Sequence, residues 1–347
     1  MLATLSSSFG FLLHQTWFIL LLSAALIGAV LASVHHAEVI AHKTGEPFGS
    51  LILALAVTII EVSLIASMML AGHEGSEFIA RDAVFATVMI ILNGVIGICI
   101  FIGGHKHYEM GFRREGAISS FSVLATLAVF TLVMPIVTTS TPGPDFTRSQ
   151  LAFAGISCFV VYGGFLFFQS VSHRDYYLPK LEDQKHDENI HADKPSNAKA
   201  LTSLGLLVVC LILVVGLAKA LSPAIESGVK AAGLPKTIVG IAIALLVLLP
   251  ESFAALRAAK ANRLQSSLNL ALGSALATIG LTIPAIAGIA LWFNLPLSLG
   301  ISDLNITLLA LSLFVGGLTL SLGKTTVLQG AIHLIIFFEY LFMSVVP

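Results

Sequence analysis

Charge is what this sequence has least of: Asp, Glu, Lys and Arg make up 11% of 347 residues, against 56% hydrophobic, and the mean hydropathy is +0.95. A soluble globule so poor in charged side chains would lack the polar surface that keeps it dispersed, so the composition predicts a polytopic membrane protein. The net charge of -1 and the want of any long basic tract give no argument for a nucleic-acid partner, and none is expected. There is no G-x4-G-K-[ST] stretch and no large polar domain to hold a nucleotide, so uphill ion movement would have to be driven by a gradient. No Lys or Arg precedes the first apolar run, which continues to about Val34, and that run is expected to be a retained helix rather than a cleaved signal.

Metal chemistry of the thiolate and imidazole kind is also short of residues. Cys99, Cys158 and Cys210 each lie inside an apolar run, where packing is the expected role. His35, His36 and His42 fall at a membrane boundary with no H-E-x-x-H spacing and no cysteine nearby, so they are expected at the interface rather than around a metal.

What is present is a series of apolar runs of about 20 residues, the length at which a helix crosses ~30 Å of hydrocarbon. Strand-period alternation is absent, so helices and not a barrel are the spanning elements. Ten spans are expected, near 16–37, 48–71, 83–103, 118–138, 149–171, 200–220, 236–256, 267–293, 302–321 and 325–346. The one sizeable polar stretch, 173–199, is acidic and contains histidine; it divides the chain into a first half, 1–172, and a second, 200–347. Counted over alternate loops, 13 of the 18 Lys and Arg fall on the side of that stretch, which the positive-inside rule makes cytoplasmic, with both termini outside.

Five spans per half is an odd number, so the second half enters the membrane inverted. The sequence repeats accordingly: Glu38, Gly45 and Pro47 recur 188 positions later as Glu226, Gly233 and Pro235. The segment around Asn93 lies opposite GSALAT, Gly273 to Thr278, with Asn93 and Thr278 expected at matching places. The fold class expected is therefore an all-α membrane protein of about ten helices in two inverted five-helix repeats, the architecture of many secondary transporters.

Each half carries one acid near the middle of its second span, Glu61 and Glu251. An acidic side chain at the centre of a membrane helix costs roughly 2.5–3.5 kcal/mol on insertion scales and commonly marks an ion or proton path. Two carboxylates facing one another would make a hard-oxygen site suited to Ca2+ or Na+, and in the absence of a cation they would tend to bind protons. Thr58, Asn93, Asn269, Ser274 and Thr278 are neutral oxygen donors on the same or adjoining spans, and Pro250 frees the Leu246 carbonyl beside Glu251. Glu38 and Glu226, near helix ends, are candidates for a proton relay or gate, with helix capping an equal alternative. The acids of the polar stretch, among them Glu182, Asp183, Asp187 and Glu188, could sense cations, although the stretch lacks the alternation and mid-loop Gly of an EF-hand.

The stretches HAEVIAHKTGEPFGSLILALAVTIIEVSLIA and LVLLPESFAALRAAKANRLQSSLNLALGSALATIGLTIPA resemble the two signature repeats of the calcium/proton exchanger family, within the cation/calcium antiporter superfamily. The resemblance is greatest to the bacterial sodium(calcium)/proton antiporter type and runs over nearly the whole chain. It implies a ten-helix core, cation binding at Glu61 and Glu251, export coupled to proton entry, and a regulatory role for the acidic stretch. The sequence departs from the G-N-[AST]-x-E pattern of better-known exchangers, having Val57 to Glu61 and Val247 to Glu251 without the Asn.

The expected function is thus a bacterial inner-membrane antiporter, not an enzyme, that expels Ca2+ or Na+ in exchange for H+ by alternating access. K+/H+ exchange and a passive cation channel are the alternatives. The partners implied are the lipid bilayer, inorganic cations and protons; no cofactor and no nucleotide are expected.

Overall fold

The computed structural model describes residues 16–44, 48–72, 75–178 and 195–346. Ten helices long and apolar enough to cross a membrane are present among them. In chain order they are α1 Thr16–Thr44, α2 Phe48–Ala71, α3 Ser76–His107, α4 Arg114–Val137 and α5 Arg148–Ser172, then α6 Asn197–Ala231, α7 Thr237–Lys260, α8 Leu264–Phe293, α9 Asp303–Ser321 and α10 Val327–Val345. The chain is a multi-pass membrane protein with five spanning helices in each half, as the apolar runs imply. Several helices exceed the expected spans: α1 continues to Thr44, α3 begins at Ser76, and α6 is 35 residues long. Polar residues at these ends hid the extra turns, since a helix continues past the hydrocarbon into the interface without an apolar signal.

Leu20, Phe153, Phe159, Ile212, Phe314 and Phe338 are each more than half exposed, the belt of apolar side chains that a bilayer covers. The interior divides in two. α1 and α6 pack chiefly on each other and meet α2 and α7 through a cluster that includes Val30, Val34, Ile60, Val214, Leu221 and Val247. A separate, larger core joins α3, α4, α5, α8, α9 and α10 to the other face of α7.

Close helix crossings depend on glycine, the usual means by which membrane helices approach. A Cβ on Gly330 of α10 would stand 2.4 Å from the Phe101 backbone nitrogen of α3, and one on Gly240 of α7 would stand 2.7 Å from the Asp82 Cβ of α3. α3 is thereby clamped between α7 and α10.

One face of the bundle is stitched by hydrogen bonds between loops. Strand β1, Glu109–Gly111, pairs antiparallel with β2, Lys324–Thr326. The Arg113 backbone N–H donates to Gln265 at 2.6 Å, and Lys106 donates to the Lys260 carbonyl at 3.0 Å. This is the face with the excess of Lys and Arg.

Among the described residues four helices contain π-helical turns: Ile90–Val95 in α3, Val129–Val133 in α4, Phe168–Ser172 ending α5, and Thr278–Thr282 in α8. Two have a plain cause. Pro135 and Pro284 cannot donate to the carbonyls of Thr131 and Gly280, so the helix widens just ahead of each proline. The α3 segment has no proline, and there the Asn93 side chain is engaged by neighbouring helices.

Candidate cation site

The second helix of each half carries its acid near the middle of its length; for Glu61 the third helix of the opposite half, α8, supplies the partner, whereas Glu251 looks onto α2, α5 and α8. Glu61 on α2 is 1% exposed, and its Oε2 accepts a 2.7 Å hydrogen bond from the Thr282 hydroxyl of α8. Thr278, one turn earlier on α8, stands beside the same carboxylate. The sequence reading missed Thr282. The signal was available, because Ser274, Thr278 and Thr282 recur every fourth residue, a spacing that keeps side chains on one side of a helix.

Glu251 on α7 is placed differently. It is half-buried and lines a cavity of about 130 Å3 between α2, α5, α7 and α8. Its Oε2 is buried and has no hydrogen-bond partner among the described residues. A buried carboxylate oxygen without a donor is costly, so such an atom calls for a proton, a cation or water. Glu61 and Glu38 both lie close enough to act on its charge.

The cavity gathers most of the expected neutral donors. Thr58, Asn269, Ser274 and Thr278 all line it; the three hydroxyls offer oxygen, while the Asn269 amide is bonded at both ends to Gln265 and Tyr177. The Thr58 hydroxyl donates to the Ala54 carbonyl at 2.8 Å, which leaves its lone pairs free to accept. Among the described residues no three of His, Cys, Asp and Glu converge, so a cation held here would rest on the Glu251 carboxylate and neutral oxygens. His35 is exposed and His36 half-buried, their rings 5.5 Å apart, in keeping with an interfacial place.

Asn93 is not part of this group, a correction to the sequence reading. It is fully buried between α3, α9 and α10; its amide donates to the Ser312 hydroxyl at 2.8 Å and its carbonyl oxygen faces His333 Nδ1 at 3.2 Å. His333 Nε2 meets the Thr319 hydroxyl at 3.1 Å, so the ring is bonded on both sides. The matching of Asn93 with Thr278 fails for the same reason. The π-helical segments of α3 and α8 begin at Ile90 and Thr278, an offset of 188 like that of Glu38 and Glu226, which sets Leu281 opposite Asn93. In that register Thr278 and Thr282 correspond to Ile90 and Gly94, so α3 carries no hydroxyl at either matching position.

Glu38 is on an exposed side of α1, the side chain of Glu226 lies outside the described ones, and Glu182, Asp183, Asp187 and Glu188 fall outside the described residues. Pro250 sits within an unbroken α7.

With this geometry in hand, comparison with known proteins is decisive for the family. The pattern of the sodium/calcium exchanger protein family matches residues 14–171 and 202–346. The chain belongs to that family. Within it, the chain is 49% identical over 330 residues to the Sinorhizobium fredii protein y4hA, covering 95% of this chain and 89% of that one. It is 33% identical over 322 residues to the sodium-potassium/proton antiporter ChaA of Escherichia coli, covering 93% and 87%. The solved structure of YfkE, described as a Ca2+/H+ antiporter protein, superimposes with a TM-score of 0.74 at 17% identity, covering 98% of this chain and 96% of that one. The ten-helix fold of this chain is therefore shared with that exchanger structure.

Proposed function

We propose that this protein is a secondary cation/proton antiporter in which Glu251, with Glu61 behind it, binds a cation and protons in turn. The observation that carries the reading is the buried, unpartnered Glu251 Oε2 in a cavity of neutral oxygens. A cation entering there meets one free carboxylate; a proton entering there removes the charge that holds the cation. The two ligands compete because the same atom receives both.

The cargo is an inorganic cation, Ca2+ or Na+, with K+ the alternative; the sodium, potassium and calcium in the names of ChaA and YfkE support that class. Lys and Arg are concentrated on one face, which supports placing that face in the cytoplasm of a bacterial inner membrane, with both chain ends outside. Export then runs against proton entry.

Access changes sides, on this reading, by displacement of the α1 and α6 pair against the rest. That pair packs on α2 and α7 through an apolar cluster separate from the main core, so its displacement against them leaves the packing among α3 to α5 and α8 to α10 in place. Glu38 travels with α1 and would approach or leave Glu251, which suits it to passing protons.

The test is simultaneous measurement of cation and proton movement in proteoliposomes, one cation at a time. Coupled, opposite fluxes are expected for at least one of Ca2+, Na+ and K+. Cation flux without proton counterflow would point instead to a channel.

A further inference from the structure

Beyond α5 the chain does not leave the bundle at once. Residues 173–178 turn back against α8 and α4, beside the wall of the Glu251 cavity that Asn269 forms, and are held there by three separate contacts. The Asn269 amide of α8 donates to the Tyr177 carbonyl at 2.7 Å. Arg113, just before α4, donates from Nε to the Leu178 carbonyl at 2.9 Å. The Tyr176 carbonyl lies against Gly116 of α4, where a Cβ would come within 2.3 Å of it.

The ring of Tyr177 is buried and meets Phe165 edge-on at 6.1 Å, while His173 stacks on Phe168 at 4.1 Å. Phe165 and Asn269 are themselves cavity-lining residues. A relay of hydrogen bonds continues behind them: Gln265 donates to the Asn269 carbonyl oxygen at 2.9 Å and accepts from the Arg113 N–H at 2.6 Å. Both ends of the Asn269 amide are thus occupied, and its orientation is dictated by the turn and not by the cavity.

We propose that Tyr177 and Arg113 are positioning residues that act through Asn269: the turn at 173–178 is a latch that holds the α8 wall and narrows the cavity mouth on that face. The proposal rests on the reading of the Glu251 cavity as the transport site. Gly116 is the point at which the latch can be lifted without touching the cavity, since even a methyl group there displaces the Tyr176 carbonyl.

The mouth is read directly by Gly273→Cys. Gly273 lines the cavity and a Cβ there meets nothing within 4 Å, so the thiol would project into open space. With a water-soluble maleimide, Gly116→Ala is expected to speed labelling of that cysteine at least threefold over the background set by the native cysteines. In vesicles of each orientation carrying native Gly273, Gly116→Ala is expected to change the half-saturating cation concentration at least threefold on the face bearing the turn, and to leave it unchanged on the other. Arg113→Gln should act in the same direction and Arg113→Lys should return labelling and affinity most of the way to wild type, which covers the event that Gly116→Ala misfolds. Unchanged labelling and affinity would overturn the latch. So would equal changes on both faces with a fall in melting temperature, since that is loss of structure alone. If the wild type moves no protons with any cation, the antiport reading fails while the labelling result still answers for the latch.

Discussion

The Thr282 hydroxyl bonds Glu61 at 2.7 Å, whereas Glu251, its counterpart in the inverted half, has a buried carboxylate oxygen that nothing among the described residues donates to. The two acids are related by an offset of 190 residues but not by environment. One is fixed by the opposite half, and the other faces a cavity. The proposed function divides the labour accordingly: Glu61 holds a settled place and Glu251 takes on and gives up ligands.

On that proposal Thr282 supports cation binding through Glu61 without lining the cavity wall. A hydrogen bond to a charged group contributes roughly 1.5–3 kcal/mol, so Thr282→Val is expected to weaken apparent cation affinity by about tenfold or more. Thr282→Ser, which keeps the donor, should stay near wild type. Concentration dependence of cation-driven proton movement in vesicles measures both.

Asn93 and His333 should behave in the opposite way. Their network joins α3 to α9 and α10, away from the Glu251 cavity, so its loss is a matter of helix association. Interhelical hydrogen bonds of this kind contribute roughly 1–2 kcal/mol at most. His333→Leu is expected to lower the melting temperature in detergent while leaving half-saturating cation concentration within about twofold of wild type, given a loss of that size confined to packing.

Glycine at the α3 crossing leaves no room for compromise. Gly330→Leu would drive a side chain into the Phe101 backbone, already 2.4 Å from the first added carbon. Overpacking of that sort is destabilising. Little inserted, monodisperse protein is expected by size-exclusion chromatography, in contrast to Gly163→Leu, whose site has nothing within 4 Å.

Much of this was legible in the residues. Ten apolar runs became ten helices because hydrocarbon permits few other structures, and the two mid-span acids stood out because a charge there is expensive. Thr58, Ser274 and Thr278 were found as oxygens on the same helix as an acid or on one adjoining it. Asn93 was misplaced because its assignment needed the rotation of α3, and a π-helical turn changes that rotation without leaving a sequence mark when no proline follows. Thr282 was missed because pairing by short motifs stopped at Thr278. The hold of Asn269 on Tyr177 could not be read at all, since it joins residues 92 positions apart through a backbone carbonyl.

Glu38→Gln tests the part given to α1. Because Glu38 lies on an exposed side of its helix and acts on Glu251 only at a distance, its loss is expected to slow exchange while leaving cation coupling intact. Initial rates of proton movement at saturating cation measure this, and complete loss would move Glu38 into the central site.

The most direct trial of the Glu251 site is Glu251→Gln in proteoliposomes, with cation and proton fluxes followed together and insertion checked on the same sample. If Glu251 receives cation and proton in turn, the properly inserted variant moves neither ion in a coupled manner. Coupled exchange at the wild-type rate in that variant would contradict the central claim.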